Sequence, residues 1–224
     1  MELLSGCMEM KNLIDHPDYP ADTNVMKTHH ELECPVLPKI QEEVLTWVDS
    51  NTDYLKNAND KSFWHLIDDV GMARHCPSLM KYMRSIKIPV REVTIGVLTE
   101  SMKDTGFVLH MGNPPLNIKI NFPIFNTEDV YTEWYDIPVE DLNKLGVFKN
   151  PLVTSFDAFN YNLHKIHRTV QDLYPCITRY NMHSHPIVFN SWIPHRVMPG
   201  PNAKYPRIML AAMPIVEPTH LLTK

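Results

Sequence analysis

The sequence lacks long apolar runs, basic clusters and closely spaced cysteines. No stretch of 18 apolar residues occurs, and such a stretch would indicate a membrane span. The first residues also show no basic segment followed by an apolar one, which is the pattern of a secretory signal. We therefore expect a cytoplasmic protein without a membrane partner. The absence of a CxxC pair argues for a reducing compartment and against a zinc ribbon or a disulfide framework. The cysteines are Cys7, Cys34, Cys76 and Cys176.

The charge balance excludes a further class of protein. The net charge is -5, and no run of Lys or Arg is present to engage phosphates, so we expect no nucleic-acid partner. Only seven Gly stand against nineteen Pro, which indicates many short elements joined by stiff turns. An apolar fraction of 44% over 224 residues is enough for one sizeable domain, with or without an N-terminal extension.

The first 89 residues divide into a polar arm and a helical segment. Residues 1–37 show no clear periodicity, and we interpret them as an arm with little regular structure. Residues 38–55 begin with a proline and place Ile40, Val44 and Val48 on one side, which predicts an amphipathic helix. Residues 73–86 repeat this pattern. Residues 38–89 are therefore predicted to form a helical buttress.

From residue 90 onward the periodicity becomes that of strands. Short segments rich in β-branched and aromatic residues alternate with Pro, Gly, Asn and Asp. A helical turn is predicted at 139–145 and a helix at 156–173. The fold class expected is mostly β, a small barrel or sandwich packed on the N-terminal helices. The candidate strands are 90–99, 106–111, 116–122, 130–136, 177–182, 186–192, 195–198 and 207–213.

The strand at 116–122 has two chemically different faces. Its apolar residues alternate with Asn117, Lys119 and Asn121, and alternate residues of a strand project from opposite faces. The apolar face can pack under the helices. The polar face either lines a cavity or meets solvent, as in any half-buried strand.

Two histidines and an arginine suggest a metal site with an anionic ligand. His110 and His195 each fall at a strand end, and Arg207 follows His195 by twelve positions, across a predicted hairpin. Two imidazoles and one carboxylate can bind Fe(II) and leave positions for a co-substrate and oxygen. A 2-oxo acid would chelate the metal, and an arginine suits its far carboxylate. Taken singly, each histidine is more often a hydrogen-bonded or surface residue.

The segment from 90 to 224 resembles the iron(II)/2-oxoglutarate-dependent oxygenases, particularly their aspartyl/asparaginyl hydroxylase-like and phage-type branches. Residues 189–197 (FNSWIPHRV) are similar to the strand pair that carries the family's distal histidine, and residues 207–210 (RIML) to the strand with its 2-oxoglutarate arginine. Residues 116–126 resemble the segment after the family's HxD motif.

The resemblance implies a double-stranded β-helix over 90–224 as one globular unit. It further implies a hydroxylase or halogenase that uses Fe(II) and 2-oxoglutarate on a small-molecule or peptide substrate. His110 and His195 would bind the metal and Arg207 the far carboxylate of 2-oxoglutarate, with help from Lys119 or Asn121. It does not name the substrate or the oligomeric state.

The sequence departs from the family at the third ligand, because Gly112 stands where HxD has its acid. Three explanations remain open. A halide or water fills the position, as in the family's halogenases; or Asp104, Glu133 or Asp136 supplies the carboxylate. In the third, the site binds no iron and the chain is a degenerate cupin-like binding or structural protein.

Other candidate residues have simpler interpretations. His183 and His185 would share one face of a strand, which is more often a polar face than a metal site. His164 and His167 lie three apart on the predicted helix, and a solvated face is expected there. Ser155 has no general base nearby in sequence, and nothing else predicts nucleophilic catalysis.

Overall fold

The computed structural model describes residues 26–51, 63–104, 106–110, 118–138, 141 and 173–223, which form two antiparallel sheets and three α-helices. The helices are α1 (Leu37–Ser50), α2 (Asp69–His75) and α3 (Pro77–Ser85). The strands are β1 (His29–Glu31), β2 (Phe63–Asp68), β3 (Val90–Leu98), β4 (Phe107–His110), β5 (Ile118–Phe125), β6 (Val130–Tyr135), β7 (Cys176–Asn181), β8 (Ile187–Asn190), β9 (His195–Pro199) and β10 (Arg207–Pro214).

The two sheets differ in size. The larger has the order β1-β8-β5-β10-β3-β2 and the smaller the order β4-β9-β6-β7. Hydrophobic residues of the two sheets pack together in a cluster that includes Trp134, Phe189 and Met209. The described part of the chain is therefore mostly β, in the manner of a β-sandwich, as predicted from the sequence.

Four strand pairs organise the part of the chain from β3 onward. β3 pairs with β10, β4 with β9, β5 with β8 and β6 with β7, all antiparallel. The first strand of this set thus meets the last, the second meets the seventh, and so on inward. The eight strands predicted from the sequence are confirmed, each within three residues at its ends.

The helices cover the outer face of the larger sheet. α1 buries Leu37, Ile40, Val44 and Val48, the side predicted from the sequence. They join a cluster with apolar residues of β3, β5 and β10, because strand side chains alternate and every second residue faces the helices. The remaining residues of these strands face the smaller sheet.

The predicted helix at 73–86 is wrong in one respect, since two helices occupy the region. Cys76 has φ -132° and ψ 58°, outside the helical region, because the ring of Pro77 disfavours helical geometry in the preceding residue. The Glu43 carboxylate accepts a bond of 3.0 Å from the backbone N–H of Ser78 and so caps the first turn of α3.

Two strands were not predicted. β1 lies within the segment interpreted as an arm, and β2 lies between the predicted helices; both are edge strands of the larger sheet. Apart from Asp141 and Leu173, the predicted turn at 139–145 and helix at 156–173 fall outside the described residues. Among the described helices, none has the length and apolar character needed to cross a bilayer.

Candidate functional site

His110 and His195 occupy the same register position on neighbouring strands. The last residue of β4 is paired with the first residue of β9, although 85 positions separate them in the sequence. Directly opposed residues in an antiparallel pair have Cα atoms roughly 4.5–5.5 Å apart. The structure therefore brings the backbone positions of the two histidines together.

The imidazole of His195 is buried and oriented by the backbone. Its side chain is 2% exposed, and Nδ1 lies 2.9 Å from the carbonyl oxygen of Ile193. Because a carbonyl can only accept, this bond requires a proton on Nδ1. The Phe189 ring packs edge-on against the imidazole, with centroids 4.6 Å apart. Metal-binding histidines are commonly oriented in this way, through the nitrogen that does not bind the metal.

Arg207 is a buried cation without a carboxylate partner among the described residues. It is 2% exposed, and its Nε has no hydrogen-bond acceptor. Its Nη2 donates to the Met209 sulfur at 3.7 Å. Desolvation lowers the pKa of Arg207 to about 10. A buried charge that nothing neutralises is costly, so this side chain is suited to an anionic ligand.

Lys119 and Asn121 face the smaller sheet from β5. They pair with Phe189 and Ile187 of β8, whose side chains belong to the cluster between the sheets. Asn121 is 5% exposed, and its Oδ1 has no hydrogen-bond donor in the described structure. Desolvation lowers the pKa of Lys119, although part of its side chain stays accessible. In the space between the sheets, the Asn121 Oδ1 can accept a hydrogen bond and the Lys119 ammonium can donate hydrogen bonds.

Partial exposure in the middle of the larger sheet shows where that space opens. Thr94 of β3 and Lys119 of β5 lie on central strands and on the face toward the smaller sheet, yet both are partly exposed. Arg207, on the strand between them, is buried. Solvent therefore reaches the level of Lys119 and Thr94 but not that of Arg207.

The carboxylates considered as a third ligand lie elsewhere. Glu133 accepts bonds of 2.7 Å from the Arg196 Nε and the Tyr135 hydroxyl, which commits it to a buried ion pair. Asp104 and Asp136 are exposed. No group of three His, Cys, Asp or Glu side chains converges among the described residues. Gly112 lies outside them.

The remaining histidine predictions fare differently. His183 and His185 lie in the loop between β7 and β8 and are not on a strand, so the predicted shared strand face is wrong. His183 Nδ1 lies 3.3 Å from the Asn181 carbonyl, and His185 Nδ1 lies 2.9 Å from the Ser184 hydroxyl. His164, His167 and Ser155 fall outside the described residues.

A surface pocket is separate from these residues. It has a volume of about 310 Å³ and opens beside the turn after β5, where Gln41, Phe125 and His183 contribute to its lining. Neither His195 nor Arg207 lines it.

Sequence reasoning missed two contributors to the site. Phe189 packs on His195, and the Ile193 carbonyl orients its ring. Alternation along 187–190 indicates that Phe189 and Ile187 share a face, which could have placed Phe189 near the histidine. No sequence signal identifies the backbone carbonyl, because any residue at position 193 supplies one.

Comparison with known proteins shows weak similarity to solved structures. No protein-family model matches the sequence, and no curated protein matches it. Among solved structures, the chain has a TM-score of 0.39 with the crystal structure of HygX from Streptomyces hygroscopicus with iron bound. The identity is 13%, over 75% of this chain and 76% of HygX.

Proposed function

We propose that this protein is a non-heme Fe(II)/2-oxoglutarate-dependent oxygenase built on a double-stranded β-helix over residues 90–224. The observation that carries the proposal is Arg207, a buried guanidinium with an unpartnered Nε. It begins the strand that follows a buried, backbone-oriented histidine, and a second histidine stands opposite that one. An anion site and two imidazole ligands are the parts that such an enzyme needs.

The strand pairing supports the fold part of the proposal. When a long antiparallel hairpin of eight strands is wound into a double-stranded helix, its first strand pairs with its eighth and its second with its seventh. The eight strands from β3 to β10 pair in this way, and successive strands fall in alternate sheets except for β6 and β7 at the tip. This winding is the defining property of jelly-roll and cupin folds.

His110 and His195 would hold the metal. Neutral imidazole is a suitable ligand for Fe(II), and the bond between Nδ1 and the Ile193 carbonyl means that His195 would coordinate through Nε2. When bound, the iron supplies the activation of oxygen. The chain's own contribution is to fix the His195 imidazole in a buried environment.

Arg207 would bind the far carboxylate of 2-oxoglutarate. Burial makes a bidentate bond between guanidinium and carboxylate stronger than it is in water. Binding of the carboxylate also removes the cost of leaving the buried cation unpaired. The same reasoning predicts that binding the dianion raises the pKa of Arg207 toward its ordinary value.

The reaction expected converts 2-oxoglutarate and oxygen to succinate and carbon dioxide, while a substrate C–H becomes C–OH. Succinate formation in the presence of Fe(II) tests it without knowledge of the substrate, because such enzymes turn over slowly without one. The Arg207→Met variant should form no succinate above background. Arg179→Met is the matched control, since the Arg179 side chain is 54% exposed and should leave the rate unchanged. Equal rates in both variants would contradict the role of Arg207.

The third ligand decides between hydroxylation and halogenation. With Gly112 in place of the acid, two neutral imidazoles leave the charge of Fe(II) uncancelled, which favours an anion beside the metal. We propose that chloride or bromide perturbs the spectrum of the iron–2-oxoglutarate complex and that Gly112→Asp abolishes this sensitivity. A spectrum that ignores halide would instead indicate a carboxylate from elsewhere in the chain.

A second candidate is a cupin-like binding or structural protein that has lost its metal. It is favoured by Gly112, which stands where the family has its acid ligand. Iron content separates the two candidates. The oxygenase should retain iron when purified anaerobically with 2-oxoglutarate, whereas the binding protein should retain none, even as the Gly112→Asp variant.

A further inference from the structure

We propose that Lys119 and Asn121 form a substrate subsite for a small carboxylic acid that also carries a hydroxyl or amino group. The inference rests on the proposed function, because it assigns a substrate class to the same interior. It separates two roles that the sequence left together, the anchoring of the 2-oxo acid and the recognition of the substrate.

The register places Lys119 far from Arg207. β5 and β10 pair Asn121 with Ala211 and Ile120 with Ala212, so Lys119 lies level with Met213. Arg207 is six residues from Met213 along β10, which is about 20 Å at about 3.4 Å per residue. The guanidinium of Arg207 and the ammonium of Lys119 therefore serve different carboxylates.

Lys119 is connected to the histidine through one aromatic ring. Its cross-strand partner is Phe189, and the Phe189 ring packs against the imidazole of His195 with centroids 4.6 Å apart. A molecule held by Lys119 would thus lie near the ring that packs on His195.

The pattern of exposure supports a substrate at Lys119. Lys119 and Thr94 are partly exposed on the inner face of the larger sheet, whereas Arg207 is 2% exposed. A 2-oxo acid bound at Arg207 would occupy the buried end of the space between the sheets. A substrate that enters afterwards would meet Lys119 first. This order suits a substrate that enters after the 2-oxo acid.

The unused polar groups define the ligand's chemistry. No described carboxylate pairs with the Lys119 ammonium, whose lowered pKa reflects desolvation alone, so it requires an anion. The Asn121 Oδ1 is buried without a donor, so it requires a hydroxyl or an amine. The two residues are two positions apart on one face, about 7 Å between their Cα atoms. A compact hydroxy acid or amino acid meets both requirements.

Thermal stabilisation by minimal probes tests this subsite without measuring turnover, since a ligand that binds the native state raises Tm. L-lactate and L-alanine carry both groups, propionate carries only the carboxylate, and sodium chloride at equal ionic strength controls for screening. We expect Tm to rise most with lactate or alanine, less with propionate and not with chloride. The rise should vanish in Lys119→Met and Lys119→Gln and persist in Lys204→Met, an exposed control.

The second group has its own variant. In Asn121→Leu, lactate and propionate should stabilise the protein equally. The proposal is overturned if no probe exceeds chloride in the wild-type protein, or if both Lys119 variants respond as the wild type does. A 2-oxoglutarate titration of wild type and Arg207→Met is read separately. If 2-oxoglutarate does not bind the wild type, or binds Arg207→Met equally well, while the lactate response is intact, the proposed function is rejected and the Lys119 subsite is retained.

Discussion

Two arginines are buried in this protein in opposite electrostatic surroundings. Arg196 is 3% exposed and bonds Glu133, whereas Arg207 is 2% exposed and has no carboxylate partner in the described structure. A paired buried charge holds structure together, and an unpaired one costs stability. The proposed role of Arg207 in binding an anion is consistent with this difference, because a residue kept for a ligand can cost stability.

Substitution of the two arginines should therefore act in opposite directions on the ligand-free protein. Arg196→Met leaves the buried Glu133 with the Tyr135 hydroxyl and a longer, 3.5 Å ion pair to the exposed Arg179, and should lower the free energy of unfolding by about 3 kcal/mol. Arg207→Met removes an unsatisfied buried group, and should raise it by about 1–3 kcal/mol. Urea unfolding measures both. Destabilisation by Arg207→Met comparable to that by Arg196→Met would show that Arg207 is structural.

Burial should also protect one cysteine. Desolvation raises the pKa of the Cys76 thiol from 9.0 to about 12, so the native state favours the protonated form. Its stabilising contribution is complete below pH 9 and is lost as the pH rises toward 12. At pH 8, iodoacetamide should modify the exposed Cys176 well before Cys76, as followed by peptide mass spectrometry. Equal labelling of the two in native protein would contradict the burial of Cys76.

Spacing in the sequence was enough to find the candidate residues but not their surroundings. The sequence placed His195 and Arg207 at the starts of two consecutive strands, and the structure has them at the first positions of β9 and β10. Whether Arg207 has a counter-ion depends on contacts between distant segments, such as the Arg196–Glu133 pair, whose members are 63 positions apart. No local pattern reports these contacts.

Boundaries of helices and strands were predictable where a single residue, such as a proline, determines the backbone geometry. The break between α2 and α3 occurs at Pro77, and it was predictable from the effect of proline on the residue before it. β1 was not predictable, because three residues carry too little pattern and the strand is held by its pairing with β8. Edge strands of this kind depend on a partner that is distant in sequence.

The turn before β4 depends on a glycine. Gly106 has φ +59°, and a Cβ there would meet the carbonyl oxygen of Val197 on β9. Gly106→Ala should cost more than about 1–2 kcal/mol, the usual penalty for a left-handed non-glycine residue, and should disturb the β4–β9 register that places His110. Lys103→Ala, in the exposed turn nearby, is the control. Equal unfolding free energies for the two variants would contradict this role for Gly106.

The whole-molecule arrangement brings the two histidines together through the winding of the strands. Because β4 is the second of eight strands and β9 the seventh, their pairing requires the six strands between and around them to close correctly. The eight strands were predictable from alternation and turn residues. Their pairing was not derivable from local patterns, because it joins segments that are distant in the sequence.

A disulfide tests that pairing directly. Cysteines at positions opposed in an antiparallel pair fall within the range of Cα separations that a disulfide accepts. The double variant His110→Cys with His195→Cys should therefore cross-link under mild oxidation. Leu109→Cys with His195→Cys, one residue out of register, should cross-link much less. Peptide mass spectrometry distinguishes these products from links to the native cysteines, and equal yields would contradict the register.

The most direct test of the central claim is an anaerobic titration of the metal-free protein with Fe(II) and 2-oxoglutarate, followed by visible absorption. We predict a weak charge-transfer band in the wild type and in His183→Ala, whose histidine is exposed and lies in the loop after β7. The band should be lost in His195→Ala and should require more 2-oxoglutarate in Arg207→Met. Absence of the band from the wild type at high protein concentration, or an unchanged band in His195→Ala, would contradict the account.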